Sequence, residues 1–292
     1  MKKIPQYFLT LALVLSACGT AQTPAEKEAL QVVASFYPLA YFAEEIGAEN
    51  VSVSNLTPAG GEPHGFEPSP RQIVQVTEAD VVLYLGLGFE PWMDDLKSEL
   101  EAKDVVSVEV NSKLPLISND PHTWLDPLLV QETVVMIMNA FITADPEGAD
   151  EYRANAELLM AELQAMHENY KNTLAVCETD TILISHNSST YLAQRYNFKT
   201  LSVAGISPEE DPSADRLTEL ADFAKENESE YIFFETLANP AVAETLADEA
   251  ELTSLVFNPL EGLTEEELLS GENYFTVMTA NLENLKLALS CQ

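Results

Sequence analysis

Residues 51–78 read VSVSNLTPAGGEPHGFEPSPRQIVQVTE, and this stretch contains the unit from which the fold is predicted. Val51 to Leu56 is a β-rich apolar run that indicates a strand, and a helical pattern begins near Pro70. Glycines and prolines stiffen the loop between them, which carries His64. Since binding residues concentrate on loops held by rigid elements, His64 is a candidate functional residue; an ordinary surface turn is the alternative.

The same strand-to-helix alternation continues on both sides of this unit. In the first half, predicted strands at 32–34, 51–56, 81–85 and 105–110 alternate with predicted helices at 39–46, 71–78, 92–102 and 127–141. In the second half, predicted strands at 181–185, 200–203, 231–234 and 252–257 alternate with predicted helices at 188–196, 213–226, 239–250 and 274–289. Such alternation is typical of βαβ units. We therefore predict an α/β fold with two four-stranded, parallel-sheet lobes.

A long amphipathic segment separates the two halves. From Asp150 to Leu174 the apolar residues recur in steps of three and four, at Tyr152, Ala156, Leu159, Leu163, Met166, Tyr170 and Leu174. A helix of about 25 residues is about 37 Å long, close to the width of a domain. We predict one long, rigid helix joining the lobes, with the N-terminal lobe at 31–144, the linking helix at 145–176 and the C-terminal lobe at 177–292.

The N-terminus has the pattern of an exported lipoprotein. Two lysines precede a short apolar run, Tyr7 to Leu15, which indicates a secretory signal peptide at 1–17. The ending Leu15-Ser16-Ala17-Cys18 resembles a bacterial lipobox, whose cysteine becomes the lipidated first residue of the mature protein. We therefore expect a lipid anchor at Cys18, a flexible tether at 18–30 and an extracytoplasmic location at the bacterial cell membrane.

Charge excludes one class of partner. The chain has 48 acidic and 14 basic residues, for a formal net charge of −34 at pH 7. Nucleic-acid binding requires clustered lysine and arginine, so we expect no nucleic-acid partner. A negative field would instead raise the local concentration of cations, although acidity also serves solubility alone.

The cysteines predict a disulfide. If Cys18 carries lipid, Cys177 and Cys291 remain as an even pair in an oxidising compartment. We predict that these two residues form a disulfide that fastens the last helix to the second lobe.

Histidines and one carboxylate fall at the predicted strand ends. His122 lies in residues 119–127, NDPHTWLDP, just before a helix, and His186 directly follows the strand at 181–185. Glu261, in residues 258–263, NPLEGL, follows the strand at 252–257. Open parallel α/β sheets bind ligands at the carboxyl ends of their strands. We expect these three residues and His64 to meet in the cleft between the lobes, whereas His167 is interpreted as a structural residue of the long helix.

This donor set suits zinc. Zn²⁺ takes imidazole nitrogen at about 2.0–2.1 Å and carboxylate oxygen at about 2.0–2.2 Å in tetrahedral sites, whereas a manganese site would carry more oxygen. The fourth ligand stays open at this point, with Glu67, Glu62 or water as alternatives to Glu261. Asp120, Asp126 and Glu235 are candidates to orient the imidazoles, because metal-bound histidines usually donate their other N–H to a carboxylate or carbonyl.

The motifs together carry a family resemblance. They are Phe36-Tyr37-Pro38, Pro63-His64 with Phe66-Glu67-Pro68, residues 120–127, Ser185-His186 and residues 258–263. The chain resembles the solute-binding lipoproteins of bacterial zinc and manganese ABC transporters, which include high-affinity zinc-binding proteins and related surface adhesins. The resemblance implies a monomeric protein that captures Zn²⁺ and delivers it to an ABC permease in the membrane.

The resemblance also implies the ligands. His64, His122 and His186 match the three histidine ligands of zinc-type members, and Glu261 matches the carboxylate position. Manganese-type members commonly have a carboxylate where His186 stands, so Zn²⁺ is favoured over Mn²⁺. Many zinc members have a histidine-rich, acidic loop between the first two ligands, but here Asn111 to Asn119 is short and contains no histidine.

Three other functions stay as alternatives: a manganese-binding member, an adhesin-type member and a mononuclear zinc hydrolase. A hydrolase needs an open coordination position and a positioned base. The sequence has neither an H-E-x-x-H helix motif nor a nucleophile elbow, so we expect no enzymatic activity.

Overall fold

A computed structural model describes residues 29–210, 212–237 and 241–292, with the side chains of 241–243 excepted. The predicted signal peptide at 1–17, the lipid-anchor residue Cys18 and nearly all of the predicted tether lie outside the described residues. The prediction of an α/β fold with two four-stranded parallel sheets and one long helix is confirmed.

The first sheet has the strand order β2-β1-β3-β4, and every pairing is parallel. Its strands are β1 (Leu30–Ala34), β2 (Val51–Asn55), β3 (Val81–Tyr84) and β4 (Val106–Glu109). Its helices are α1 (Tyr37–Gly47), α2 (Pro70–Glu78), α3 (Met93–Ala102) and α4 (Pro127–Ala144). The inner strand β3 is buried along its whole length, as expected for an apolar strand covered on both faces.

The second sheet repeats this order as β6-β5-β7-β8, again all parallel. Its strands are β5 (Thr181–Ile184), β6 (Lys199–Ser202), β7 (Tyr231–Phe234) and β8 (Thr253–Val256). The helices of this half are α6 (Thr190–Tyr196), α7 (Ala214–Glu226), α8 (Ala241–Ala250), α9 (Glu265–Ser270) and α10 (Tyr274–Ala288). Because both sheets reverse strand order between their two inner strands, each has a binding crevice at that point.

The short helix α9 is a difference from the sequence prediction, which placed no helix between β8 and α10. The Thr264 hydroxyl accepts a hydrogen bond from the Glu267 backbone N–H, and the Glu267 carboxylate accepts one from the Thr264 N–H. This reciprocal capping stabilises a helix of six residues, too short to show apolar periodicity.

The long helix α5 (Ala149–Thr173) contacts both halves of the molecule. The Asn155 amide donates to the carbonyl oxygen of Ile46 in the first half, and the Tyr170 hydroxyl donates to that of Met278 in the second. Its predicted apolar stripe is buried, from Tyr152 to Tyr170. The lobe and linker limits given above remain predictions.

Helix α4 packs along α5 inside the core. With a mean hydropathy of 1.4, it is long and apolar enough by composition to cross a membrane. Its residues Leu129, Val134, Ile137 and Phe141 are nevertheless buried against the rest of the protein, which accounts for its apolar character.

The two halves are joined directly beside the cleft. The Trp124 indole N–H donates to the Pro259 carbonyl oxygen at 2.7 Å, and the Tyr274 hydroxyl donates to the Trp124 carbonyl oxygen at 2.8 Å. Arg195 of α6 forms an ion pair with the buried Asp126 of the first half, with an N–O distance of 2.7 Å. These contacts fix the relative position of the two sheets at the point where their loops meet.

Cys177 and Cys291 form a disulfide. It joins the segment before β5 to the C-terminal segment after α10, at the end of the second sheet opposite the strand carboxyl ends. It closes a loop with a sequence separation of 114 residues.

Replacing both cysteines by serine should lower the free energy of unfolding by about 2–5 kcal/mol, since the unfolded chain regains the entropy that the cross-link removes. Metal affinity should stay close to that of the parent, because the disulfide lies at the far end of the sheet. Denaturant unfolding with and without reductant measures the effect. Reductant should lower the parent to the level of the double variant and leave the variant unchanged; two free thiols in the denatured, unreduced parent would contradict the bond.

Candidate metal centre

Four side chains from both halves converge in the cleft: His64, His122, His186 and Glu261. The Glu261 Oε1 atom lies 3.0 Å from His64 Nε2, 3.2 Å from His122 Nε2 and 3.2 Å from His186 Nε2. The Nε2 atoms of His122 and His186 are 3.3 Å apart, and all four donor atoms lie within 4.8 Å of one another. The sequence predicted these four residues as ligands, and the structure brings them together.

The spacing of these atoms matches a tetrahedral site. With metal–ligand bonds of about 2.0–2.1 Å, neighbouring ligand atoms of a tetrahedron are about 3.3 Å apart. Four of the six distances between donor atoms, from 3.0 to 3.3 Å, are close to this value, and the two from His64 to the other imidazoles are at most 4.8 Å. One small ion at the centre could therefore contact all four residues after a small inward movement of His64.

Asp120 fixes the orientation of His122. Its Oδ1 atom accepts the His122 backbone N–H at 2.9 Å and contacts the ring Nδ1 at 2.7 Å. This contact leaves the Nε2 lone pair directed into the cleft. The Asp120 carbonyl oxygen in turn accepts from the Tyr191 hydroxyl at 2.8 Å, which ties this loop to α6 of the second half. Both His122 and Asp120 are buried.

Glu235 has the same relation to His186. It directly follows β7, and its Oε1 atom lies 2.5 Å from His186 Nδ1 and accepts the His186 backbone N–H at 3.2 Å. The Ser185 hydroxyl donates to the same carboxylate. Since β5 and β7 are neighbours in the sheet, their ends place this carboxylate and this imidazole side by side.

Glu261 is held by a strained turn. Leu260, the residue before it, has a φ of 58°, a left-handed conformation that is costly for a branched side chain. The Asn258 side chain accepts the Leu260 N–H at 2.8 Å, and the Trp124 indole holds the Pro259 carbonyl. These bonds keep the turn in place and direct the buried Glu261 carboxylate towards the three imidazoles.

His64 is held differently from the other two histidines. Its backbone N–H donates to Glu62 Oε1 at 3.0 Å, and its ring packs edge-on against Phe89 with a centroid distance of 4.8 Å. Within the described part of the chain its Nδ1 has no hydrogen-bond partner. The loop is anchored to the second half by Gly60, which has a φ of 74° and whose N–H donates to the Leu263 carbonyl at 2.9 Å.

Three groups of the cluster have shifted pKa values. Burial alone would lower the pKa of His186, but the Glu235 and Glu261 carboxylates outweigh it and raise this pKa to about 10. The pKa of His122 is raised as well, since Asp120 and Glu261 outweigh burial. Burial would raise the pKa of Glu261, yet its contacts with the imidazoles hold it well below the usual range. A metal ion would replace these protons, so metal binding and protonation compete.

The other sequence candidates lie elsewhere or take other roles. Asp126, a candidate to orient a ligand, instead caps α4 at the Leu128 N–H and pairs with Arg195. His167 lies on α5 with its Nδ1 3.1 Å from the Tyr196 hydroxyl, outside the cluster. Glu67 is exposed and is not among the four converging residues. The assignment of His64, His122, His186 and Glu261 as metal ligands remains a prediction.

The roles of Phe89 and Trp124 in positioning the histidines were not predicted from the sequence. Phe89 covers the His64 ring, and Trp124, whose ring centroid is 5.0 Å from that of His122, joins the two halves. The position of Trp124 two residues after His122 was a usable signal, because a buried indole N–H needs an acceptor.

The family whose sequence profile matches this chain is described as ZnuA, zinc-uptake complex component A periplasmic, and the match covers residues 32–288. A curated relative, the zinc-binding lipoprotein AdcA of Streptococcus pneumoniae, is 33% identical over 306 residues, which is 98% of this chain and 61% of the relative. The chain thus spans less than two thirds of the length of that relative. The high-affinity zinc uptake system protein ZnuA of Bacillus subtilis is 32% identical, covering 95% of this chain and 94% of that protein.

A solved structure has the same architecture. The Zn(II)-bound ZnuA-like domain of Streptococcus pneumoniae AdcA superposes with a TM-score of 0.81 at 34% sequence identity. The match covers 90% of this chain and 99% of that domain. Fold and sequence therefore agree over nearly the whole chain.

Asp120→Asn and Glu235→Gln should each weaken metal affinity by about 10–100-fold, because each loosens the imidazole that the carboxylate orients. Asp126→Asn is the matched control: it removes a buried carboxylate from the same region but touches no candidate ligand, so stability should fall while affinity stays near that of the parent. Competitive titration with a chromophoric chelator, paired with thermal unfolding, separates the two effects. Equal losses of affinity in all three variants would contradict an orienting role.

Proposed function

The chain belongs to the ZnuA family of periplasmic A components of zinc-uptake complexes, and on that premise we propose that it captures Zn²⁺ outside the cytoplasm and delivers it to an ABC permease in the membrane. The observation that carries the proposal is the convergence of three imidazole nitrogens and one carboxylate oxygen within 4.8 Å of one another, with all of these residues but His64 buried. In this function Zn²⁺ is the transported substrate.

The donor set supports zinc over manganese. Three of the four donors are imidazole nitrogens, and the fourth is a carboxylate oxygen. Octahedral, oxygen-rich surroundings suit manganese, whereas a four-donor nitrogen-rich site suits zinc. The carboxylates of Asp120 and Glu235 are occupied by the Nδ1 atoms of two of the histidines, so they add no donor oxygen at the centre.

A binding role fits this geometry better than hydrolysis. A catalytic zinc keeps one position open for water, and three protein ligands hold the metal. Here Glu261 occupies the fourth corner, and it is only 1% exposed. A metal enclosed by four protein ligands has no free position at which to activate water.

Delivery requires a distinction between loaded and empty protein. A permease can prefer one form only if metal binding changes the surface that it contacts. The contacts between the halves, such as Trp124 with Pro259 and Arg195 with Asp126, oppose large hinge bending. We propose that metal binding instead moves the loops that carry the ligands, and that those loops form the surface that the permease recognises.

Location and anchoring complete the proposal. The relative AdcA is described as a lipoprotein, and the matching family is described as a periplasmic component. We propose that this chain acts as a monomer outside the cytoplasm and is held at the membrane by lipid on Cys18, which lies outside the described residues. Mass spectrometry of the membrane fraction from cells expressing the full chain tests the anchor.

Single alanine substitutions at His64, His122 or His186 should each weaken zinc affinity by about a hundredfold to a thousandfold, since four ligands share a binding free energy of about 10–16 kcal/mol. His167→Ala is the control and should change affinity by no more than about twofold, because it lies outside the cluster. Competitive titration measures all four variants. Similar losses at all four histidines would remove the basis of the assignment.

Glu261→Ala should still bind zinc through the three imidazoles and a water molecule, but about 10–100-fold more weakly than the parent. Its 258–263 loop should also exchange amide hydrogens faster in the metal-loaded protein. Glu67→Ala, which removes the exposed carboxylate three residues after His64, should behave like the parent. A larger loss from Glu67→Ala than from Glu261→Ala would show that the fourth ligand is wrongly assigned.

A further inference from the structure

Glu62 is a partly buried acidic residue beside the cleft that the four-ligand site does not use. One of its oxygens, Oε1, accepts the His64 backbone N–H at 3.0 Å. The other, Oε2, is buried and has no hydrogen-bond partner among the described residues. A buried carboxylate oxygen without a partner is costly, so its position calls for a functional reason.

This carboxylate faces the candidate site without belonging to it. Burial and the nearby Glu261 carboxylate raise its pKa to about 8, and the charges of His186 and Glu235 also act on it. Its oxygens nevertheless fall outside the group of donor atoms that lie within 4.8 Å of one another. Glu62 is therefore adjacent to the metal position rather than part of its tetrahedron.

Glu62 is also attached to the part of the site that is held least firmly. His122 and His186 have their Nδ1 atoms fixed by carboxylates, and Glu261 sits on a turn anchored by Trp124 and Asn258. His64 has no such partner at Nδ1 within the described residues, and it is the most exposed of the four. Because Glu62 bonds the His64 backbone, the two side chains move together with one loop.

On the basis of the proposed function, we propose that Glu62 is a transient ligand that holds Zn²⁺ together with His64 while the ion passes between solvent and the buried site. A hydrated ion must lose its water molecules before it reaches the tetrahedral position, and an ion partly stripped of water needs compensating negative charge. A metal ion that meets Glu62 displaces the carboxyl proton, and the Oε2 atom, which has no hydrogen-bond partner among the described residues, then supplies this charge beside His64. Glu62 then lowers the barrier for binding and release alike, with little effect on the final affinity.

The test compares rates with affinity in Glu62→Gln. The glutamine side-chain oxygen still accepts the His64 N–H, so the substitution removes only the second oxygen as a possible metal ligand. Stopped-flow mixing of metal-free protein with Zn²⁺ gives the association rate, and mixing of loaded protein with excess chromophoric chelator gives the dissociation rate. Both rates should fall by about tenfold, while the equilibrium affinity stays within about threefold of the parent.

Glu67→Gln is the matched control. It removes one negative charge from the same loop at an exposed position, so it accounts for the loss of long-range attraction on the association rate. Its dissociation rate should equal that of the parent. Glu62→Asp, which keeps the charge on a shorter side chain, should recover part of both rates.

Two results would overturn the inference. Rates in Glu62→Gln equal to those of Glu67→Gln would show that Glu62 takes no part in metal transfer. A weaker affinity that arises from faster dissociation alone would show instead that Glu62 stabilises the loaded state. Both results presuppose a parent that binds zinc tightly at equilibrium; a parent that does not bind zinc would contradict the proposed function itself, and the role of Glu62 with it.

Discussion

Buried negative charge is the constraint on which the cleft depends. Asp120, Glu235 and Glu261 are all at most 8% exposed, and they surround imidazoles that would be mostly neutral at pH 7 with an ordinary pKa of about 6.5. Carboxylates packed this closely are stable in the protein interior only if positive charge is present among them. In the metal-free protein, protons on the imidazoles supply it, which is why the pKa values of His122 and His186 are raised. A divalent cation supplies the same charge at the centre of the cluster.

The constraint also explains why the two halves are fastened so close to the site. Each half supplies two of the four converging residues, so a small change in the angle between the sheets would separate the donors. Tyr274 and Arg195 contact Trp124 and Asp126, which follow His122 by two and four residues, and Trp124 contacts Pro259, two residues before Glu261. The strained turn at Leu260 is tolerated because this surrounding network determines its conformation. The donor geometry is thereby set by the protein, which favours an ion of matching size and coordination.

Much of this arrangement could be predicted from the sequence, for a physical reason. Parallel strands are apolar throughout and alternate with amphipathic helices, so strand ends can be located from composition, and His64, His122, His186 and Glu261 follow those ends. Side-chain direction could not be predicted in the same way. Asp120 and Asp126 are both within four residues of His122, yet only Asp120 bonds it, since the intervening 3₁₀ turn directs Asp126 towards α4 and Arg195. The capped helix α9 was missed because six residues are too few to show periodicity.

The two sheets have the same strand order, and each has a serine–glutamate pair near its strand ends, but the two pairs have different roles. Ser35 follows β1 and donates to the buried Glu90 at 2.6 Å, just as Ser185 follows β5 and donates to Glu235. In the second half this carboxylate holds the candidate ligand His186. In the first half it holds the backbone N–H groups of Leu85 and Gly86, and so shapes the loop that places Phe89 against His64. His64 is thus positioned by an aromatic contact where His186 is positioned by a charge, and it is the candidate ligand whose ring can leave the site without separating an ion pair at Nδ1. The proposed release of the ion needs one such residue, and the difference between the carboxylates of the two sheets provides it.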